Sequence, residues 1–260
     1  MKKYLTVSIV VVLLLAVVSP VEAGAKKPAP PQSHAFGKAL EEWQLLYFTW
    51  YLGGSQADQV RNVRFLPLPE GEPTGEDPTI IVGELDLTLE VGTAFVLPVL
   101  TFIGETYVED VADDEPLPAE IFTGAPVLVS LNGQPLIDSG VENLDKYLFG
   151  PVFFDPPILY DEPQPRGDVN AAAAIFVQGI GFVYPPLPVG EHTLTLFAVF
   201  EDFGVGFSNT WHITVQPKGG DEPAAAVVVD GLARGAVSPG VATEGEVAST
   251  VFLPLISQAR

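Results

Sequence analysis

From residue 193 the chain alternates. Leu194, Leu196, Ala198 and Phe200 fall on one side, and Thr193, Thr195, Phe197 and Val199 on the other. Period two is the mark of a strand with one buried face. Residues 210–215 alternate as well, with Trp211, Ile213 and Val215 together. Asp202, Gly204, Gly206 and Asn209 lie between the two runs and predict a turn or loose hairpin. Pro188-Val-Gly190 is a turn signal ahead of the first run. Residues 79–102 carry the same imprint. Leu85, Leu87, Leu89 and Val91 oppose Glu84, Asp86, Thr88 and Glu90, and the stretch AFVLPVLTF that follows is apolar throughout. That stretch predicts a strand buried on both faces, with Pro98 marking a bulge or an edge. Asn132-Gly133 between two apolar segments predicts a type I′ hairpin, and Pro135 limits how its return strand pairs. Residues 171–184 start with an alanine run suited to helix and end β-like, and Gly179 and Gly181 favour a close backbone approach.

One segment has the period of a helix. Phe36, Leu40, Trp43, Tyr47 and Trp50 share a face, and Lys38, Glu41, Glu42 and Gln44 supply a polar side. Ser33 is the candidate N-cap and Gly53-Gly54 the stop. The expectation is a helix over residues 36–52, docked by its aromatic face. Together these segments predict a mainly β fold: an antiparallel β-sandwich, immunoglobulin-like or jelly-roll-like, with one N-terminal amphipathic aromatic helix packed on it.

The flanks differ in character. Residues 1–23 read as a signal peptide, with Lys2 and Lys3 ahead of an apolar run and Val21-Glu22-Ala23 at the cleavage site. The run is shorter than the roughly 20 residues a spanning helix needs, so no integral anchor is expected after cleavage. Residues 24–35 form a Pro-rich linker, expected to be extended and mobile. The β-rich body is expected over residues 36–216, and residues 217–260 as a low-complexity, mostly disordered tail. Within the tail, residues 251–256 (VFLPLI) are apolar enough to add a strand to a sheet.

Charge changes the picture of partners. With 12 basic and 33 acidic residues the formal charge is −21. Such a field repels nucleic acid and anionic lipid. The absence of cysteine excludes disulfides and thiolate chemistry. An exported protein with an acidic surface then has a glycan or an envelope protein as candidate partner.

Candidate chemistry is sparse. The acidic run contains Glu105, Glu109, Asp110, Asp113, Asp114 and Glu115. Asp110, Asp113, Asp114 and Glu115 are weak candidates for Ca²⁺, which takes six to eight oxygens, and a pair from residues 105–120 would suit a hydrolase. The bland reading is a solvated charge run. His192 and His212 sit on strands and His34 in the linker, and their context supplies no third metal ligand. Phe149, Phe153, Phe154 and Tyr160 are candidate sugar-stacking aromatics. Arg166-Gly167-Asp168 reads as a loop. No G-x-S-x-G, H-E-x-x-H, P-loop or dinucleotide motif is present.

The pieces Phe36-Gly37, Glu42-Trp43, Trp50 and Pro186-Leu-Pro-Val-Gly-Glu-His192-Thr193 give the chain a resemblance. It resembles a family of secreted bacterial proteins of uncharacterised activity, with a signal peptide, an aromatic helix and a β-rich body ending in a PLxPGxHT-like strand. The resemblance covers about residues 36–216 and implies no site. The closing strand is also similar to those of immunoglobulin-like sandwiches, with His192 where a Tyr is usual. The expected function is a non-catalytic, exported β-sandwich protein with a binding or structural role at or outside the cell envelope. The alternatives are a secreted hydrolase using surface carboxylates and a carbohydrate-binding module.

Overall fold

The structure is a computed structural model that describes residues 27–29, 34–54, 57–75, 78–219 and 255–256. Helix α1 spans Leu40–Gly53. Strands β1 (Gln59–Val60), β2 (Val63–Phe65) and β3 (Gly71–Pro73) are short. β4 (Thr79–Glu90) and β5 (Ala94–Tyr107) are long, and a short helix α2 (Ala119–Thr123) follows. Then come β6 (Val127–Leu131), β7 (Gln134–Asp138), β8 (Leu148–Arg166), β9 (Val169–Tyr184), β10 (Gly190–Phe200), β11 (Val205–Gln216) and β12 (Leu255–Ile256).

These strands form two sheets. The first runs β1-β2-β5-β9-β8, with β12 also on β5. The second runs β3-β4-β11-β10-β6-β7. Both sheets are mixed, because β2 and β12 pair with β5 in parallel and β4 pairs with β11 in parallel. The sandwich is as expected from the alternation. The parallel pairs are not written in it, because period two is the same for either strand direction.

Between the sheets Phe95, Phe102, Phe176 and Phe182 meet Leu194, Leu196, Trp211 and Ile213 in one cluster. On the outside of the first sheet Val96, Ile103, Val177 and Val183 form a second cluster with Trp43, Tyr47 and Phe48 of α1. The molecule therefore has three layers: helix, sheet, sheet. This explains why β5 is apolar without alternation, and residues 94–105 are all buried. Pro98 stands opposite Gly181 beside a register irregularity against β9, between Pro98 and Leu100, as a bulge at this proline requires.

β9 is strand from end to end, including its alanines. Pairing with β5 on one side and β8 on the other overrides the local helix preference. Its small residues let neighbours close in: a Cβ on Gly181 would meet Gln44 Nε2 at 2.2 Å, and one on Gly179 would meet the Leu100 oxygen at 2.1 Å.

The hairpin at Asn132-Gly133 has both residues at positive φ, 51° and 75°, as a type I′ turn requires. Pro135 lies at a register irregularity on β7, the sheet's edge strand. Asn209 is buried inside β11 rather than in a turn. The turn is a single 3₁₀ turn, Glu201–Phe203, closed by Gly204 in the left-handed region.

The helix begins later than its aromatic spacing suggests. Phe36 has φ 56° and lies in a separate 3₁₀ turn, Ala35–Gly37. The N-cap is Ala39, whose N–H donates to Glu42 Oε2 at 2.8 Å, and Ser33 falls outside the described residues. Gly54 ends the helix at φ 63°, as expected of the Gly53-Gly54 pair. Gln44, assigned above to the polar side, is fully buried against β9. The aromatic tips are satisfied: Trp43 Nε1–H donates to the Ala35 oxygen and Tyr47 O–H to the Leu66 oxygen, each at 2.8 Å.

Residues 1–23 and 220–254 lie outside the described residues, and so do the signal-peptide and most of the tail expectations. The linker is not free throughout, since Ala29 N–H donates to the Val183 oxygen at 2.9 Å. No helix among the described residues is long and apolar enough to cross a membrane.

Trp43 is 1% exposed and fills the space between helix and first sheet. Trp43→Ala is expected to cost about 3–5 kcal/mol in urea denaturation. Val141→Ala, at a position 82% exposed, is expected to stay within about 0.5 kcal/mol of wild type.

Candidate functional site

The acidic run divides into two kinds of carboxylate. Glu105, at the end of β5, is 1% exposed. Arg166 Nε–H donates to its Oε2 and an Arg166 Nη2–H to its Oε1, both at 2.8 Å. Tyr160 O–H donates to the same Oε1 at 2.5 Å. Burial works against the Arg166 cation, but the Glu105 hydrogen bonds and charge prevail and hold it above its ordinary value. Burial, and then the charge of Glu105, push the Tyr160 phenol up, so it remains a donor. This is a charge-assisted, bidentate pair with its third lone pair filled.

Asp114 is turned inward beside it. Its Oδ2 accepts from Glu105 N–H at 3.0 Å and its Oδ1 from Tyr107 O–H at 2.9 Å, and its own N–H donates to the Glu105 oxygen at 3.0 Å. Asp114 thus ties the loop after β5 back onto that strand. Glu109 accepts from Asn170 N–H at 2.8 Å and from Asn170 Nδ2–H at 2.7 Å. The backbone bond first, then the side-chain bond, hold its carboxyl below the usual range.

Asp110, Asp113 and Glu115 remain exposed. The four Ca²⁺ candidates are therefore not gathered: Asp114 is occupied by Tyr107 and Glu105, and the other three face solvent. Among the described residues no group of three or more His, Asp or Glu is placed to hold a metal ion.

The strand histidines are engaged too. Asn132 Nδ2–H donates to His192 Nδ1 at 3.1 Å, and His192 Nε2–H donates to the Pro188 oxygen at 2.9 Å. Asn132 Oδ1 accepts from Thr193 N–H at 2.9 Å, which fixes the amide and with it the ring tautomer. His212 pairs with Glu84 across β11 and β4. Of the four stacking candidates, Phe149 and Phe154 are buried, Tyr160 is committed to Glu105, and Phe153 is 60% exposed. Arg166-Gly167-Asp168 is the tight β8–β9 hairpin turn rather than a longer loop, because β8 runs on to Arg166.

Two features were missed in the sequence. A cleft of about 130 Å³ between α2 and the β10–β11 turn is lined by Glu120, Ile121, Ala125, Phe200, Glu201 and Asp202, with Gly124. Its three carboxylates are exposed to solvent. Asp202 reads only as a turn residue in the sequence, and Glu201 carries no signal there.

The other feature is the outer face of the second sheet. Across its six strands Asp138, Leu128, Phe197, Ser208, Val82 and Glu72 stand opposite one another in register. Val82 is 50% exposed, and Leu128 and Phe197 are 40% exposed. Among the described residues no element covers this face, whereas α1 covers the outside of the first sheet. Phe197 on the wet side of an alternating strand was the one signal of it.

No protein-family model matches the chain, and no curated protein does. The chain is similar to a solved structure described as the structure of PbICP-C in complex with falcipain-2. The identity is 12%, with 60% of this chain and 99% of that chain covered and a TM-score of 0.24.

Arg166→Ala leaves a carboxylate buried without its cation. The expected loss is about 3–5 kcal/mol by urea denaturation, and the double variant Glu105→Gln/Arg166→Ala is expected to recover part of it. Glu109 has a depressed folded value. The stability it contributes is complete above its ordinary 4.5 and is lost as the pH falls through that folded value. Glu109→Gln should therefore unfold at a lower temperature than wild type at neutral pH and converge with it in acid.

Proposed function

We propose that this protein is an exported, non-catalytic β-sandwich that acts by binding at or outside the cell envelope. The observation that carries the reading is that Glu105, Asp114 and His192, the candidate reactive groups that are held in place, are spent on holding the fold, while Asp110, Asp113 and Glu115 stand apart on the surface. Glu105 is closed between Arg166 and Tyr160, and Asp114 between Tyr107 and the Glu105 N–H. His192 uses both ring nitrogens on Asn132 and Pro188. A general acid, base or nucleophile needs a free position facing a substrate.

Export is supported by the sequence: Lys2 and Lys3, the apolar run after them and Val21-Glu22-Ala23. The acidity of the chain, at −21, suits a soluble surface outside the membrane. A binding role, more than a purely structural one, is supported by the row Leu128–Phe197–Val82 on the uncovered sheet face.

Purified protein is expected to turn over no member of a panel of ester, glycoside and peptide substrates above the uncatalysed rate. Turnover that is lost in Glu120→Gln or Glu201→Gln would instead assign a hydrolase to the cleft beside α2.

A further inference from the structure

The registered row on the second sheet has a defined chemistry along its length. It begins with a carboxylate on β7, Asp138, passes through Leu128 and Phe197, crosses Ser208, reaches Val82, and ends with a carboxylate on β3, Glu72. Neighbouring strands lie about 4.8 Å apart, so the six positions span about 24 Å. The middle is apolar and open to solvent, with Val82, Leu128 and Phe197 all at least 40% exposed. Leu128 and Phe197 are directly opposite each other on β6 and β10.

The charge of this face has one sign. Glu84, Asp86 and Glu90 point outward from β4, and Glu191 from β10, while none of the six strands carries a Lys or Arg. The histidines on those strands are both engaged, His212 by Glu84 and His192 by Asn132 and Pro188. An exposed apolar row bounded by carboxylates at both ends selects its occupant by complementarity: apolar groups in the middle and cations at the ends. Lys and Arg suit the ends doubly, since their aliphatic stems lie along apolar surface while their heads reach the carboxylates. A second copy of this chain would bring the same carboxylates against these and be repelled. Nucleic acid and anionic lipid are repelled for the same reason.

We infer that the outer face of the second sheet docks a cationic, amphipathic polypeptide segment of a protein partner. The segment has an apolar centre that lies on Leu128, Phe197 and Val82, and Lys or Arg flanks that pair with Asp138 and Glu72. This rests on the reading of the protein as a binding module and names its partner class.

The test titrates the full chain with a fluorescent peptide that has a Leu-rich centre and Lys at both ends. Parallel titrations use one peptide with Glu flanks and one with a Ser centre. The Lys–Leu peptide is expected to bind and to weaken as salt rises, and the two control peptides are not. Phe197→Ser with Leu128→Ser is expected to weaken binding about tenfold or more. Glu72→Gln with Asp138→Asn is expected to weaken binding and flatten its salt dependence. Asp110→Asn with Asp113→Asn and Glu115→Gln removes more charge elsewhere and is expected to leave binding unchanged.

Thermal unfolding of each variant checks that it is folded. The charge variant carries the test if the apolar variant is not. No binding overturns the inference, and so does equal weakening by the two sets of charge variants, which would mark attraction to net charge alone. Sedimentation that shows a dimer lost in Phe197→Ser would give the face to a second copy and also overturn it. Each of these results leaves the non-catalytic reading standing. Substrate turnover would remove that reading whatever the peptide does.

Discussion

The pairing of β5 with β9 is the constraint on which the rest of this structure depends. Both strands are buried on both faces, so the pair is stable only with a layer on each side. The second sheet supplies one layer and α1 the other. The segment after β2 joins them. Tyr47 of the helix donates to the Leu66 oxygen and Trp211 of the second sheet donates to the Pro67 oxygen, both at 2.8 Å. Two adjacent carbonyls therefore tie the helix layer and the far sheet to one short piece of chain. Each of these aromatic tips removes a buried polar cost that the packing of large rings would otherwise create.

Close packing around that central pair also explains where the chain uses its smallest residues. A Cβ on Gly104 would fall 2.0 Å from the Phe176 ring. Gly181 makes the matching room on the other face, under the Gln44 amide. Larger residues at these positions would move the helix or the sheet away from the pair, and the aromatic contacts of both layers would be lost together.

The acids of this chain serve two ends, and their positions in the sequence do not separate them. Glu105, Glu109 and Asp114 accept hydrogen bonds that hold the β8–β9 hairpin and the loop after β5 against the first sheet. Glu72, Glu84, Asp86 and Glu90 stand on an open face and give it its sign. The first group was legible as an acidic run, but its role was not: Arg166 and Asn170 each lie 61 residues from the carboxylate they meet. The aromatics were misleading for a related reason. Phe149 and Phe154 lie in a Pro-rich stretch that reads as exposed, yet both are buried in the cluster that includes α1.

The sequence by itself determined the strands with one wet face, the Asn132-Gly133 turn, an irregularity of pairing at Pro98, either bulge or edge, and the docked aromatic helix with its Gly54 stop. These follow from period, from the φ that a residue tolerates and from a missing N–H, all of which are local. Tertiary structure decided the strand state of the alanine-rich β9, the parallel pairings of β4 and β2, the late start of α1 and the partners of every buried carboxylate. Those outcomes depend on what lies across a sheet or under a helix, and residues far apart in the chain meet only when the apolar surface of the central pair has been covered on both sides.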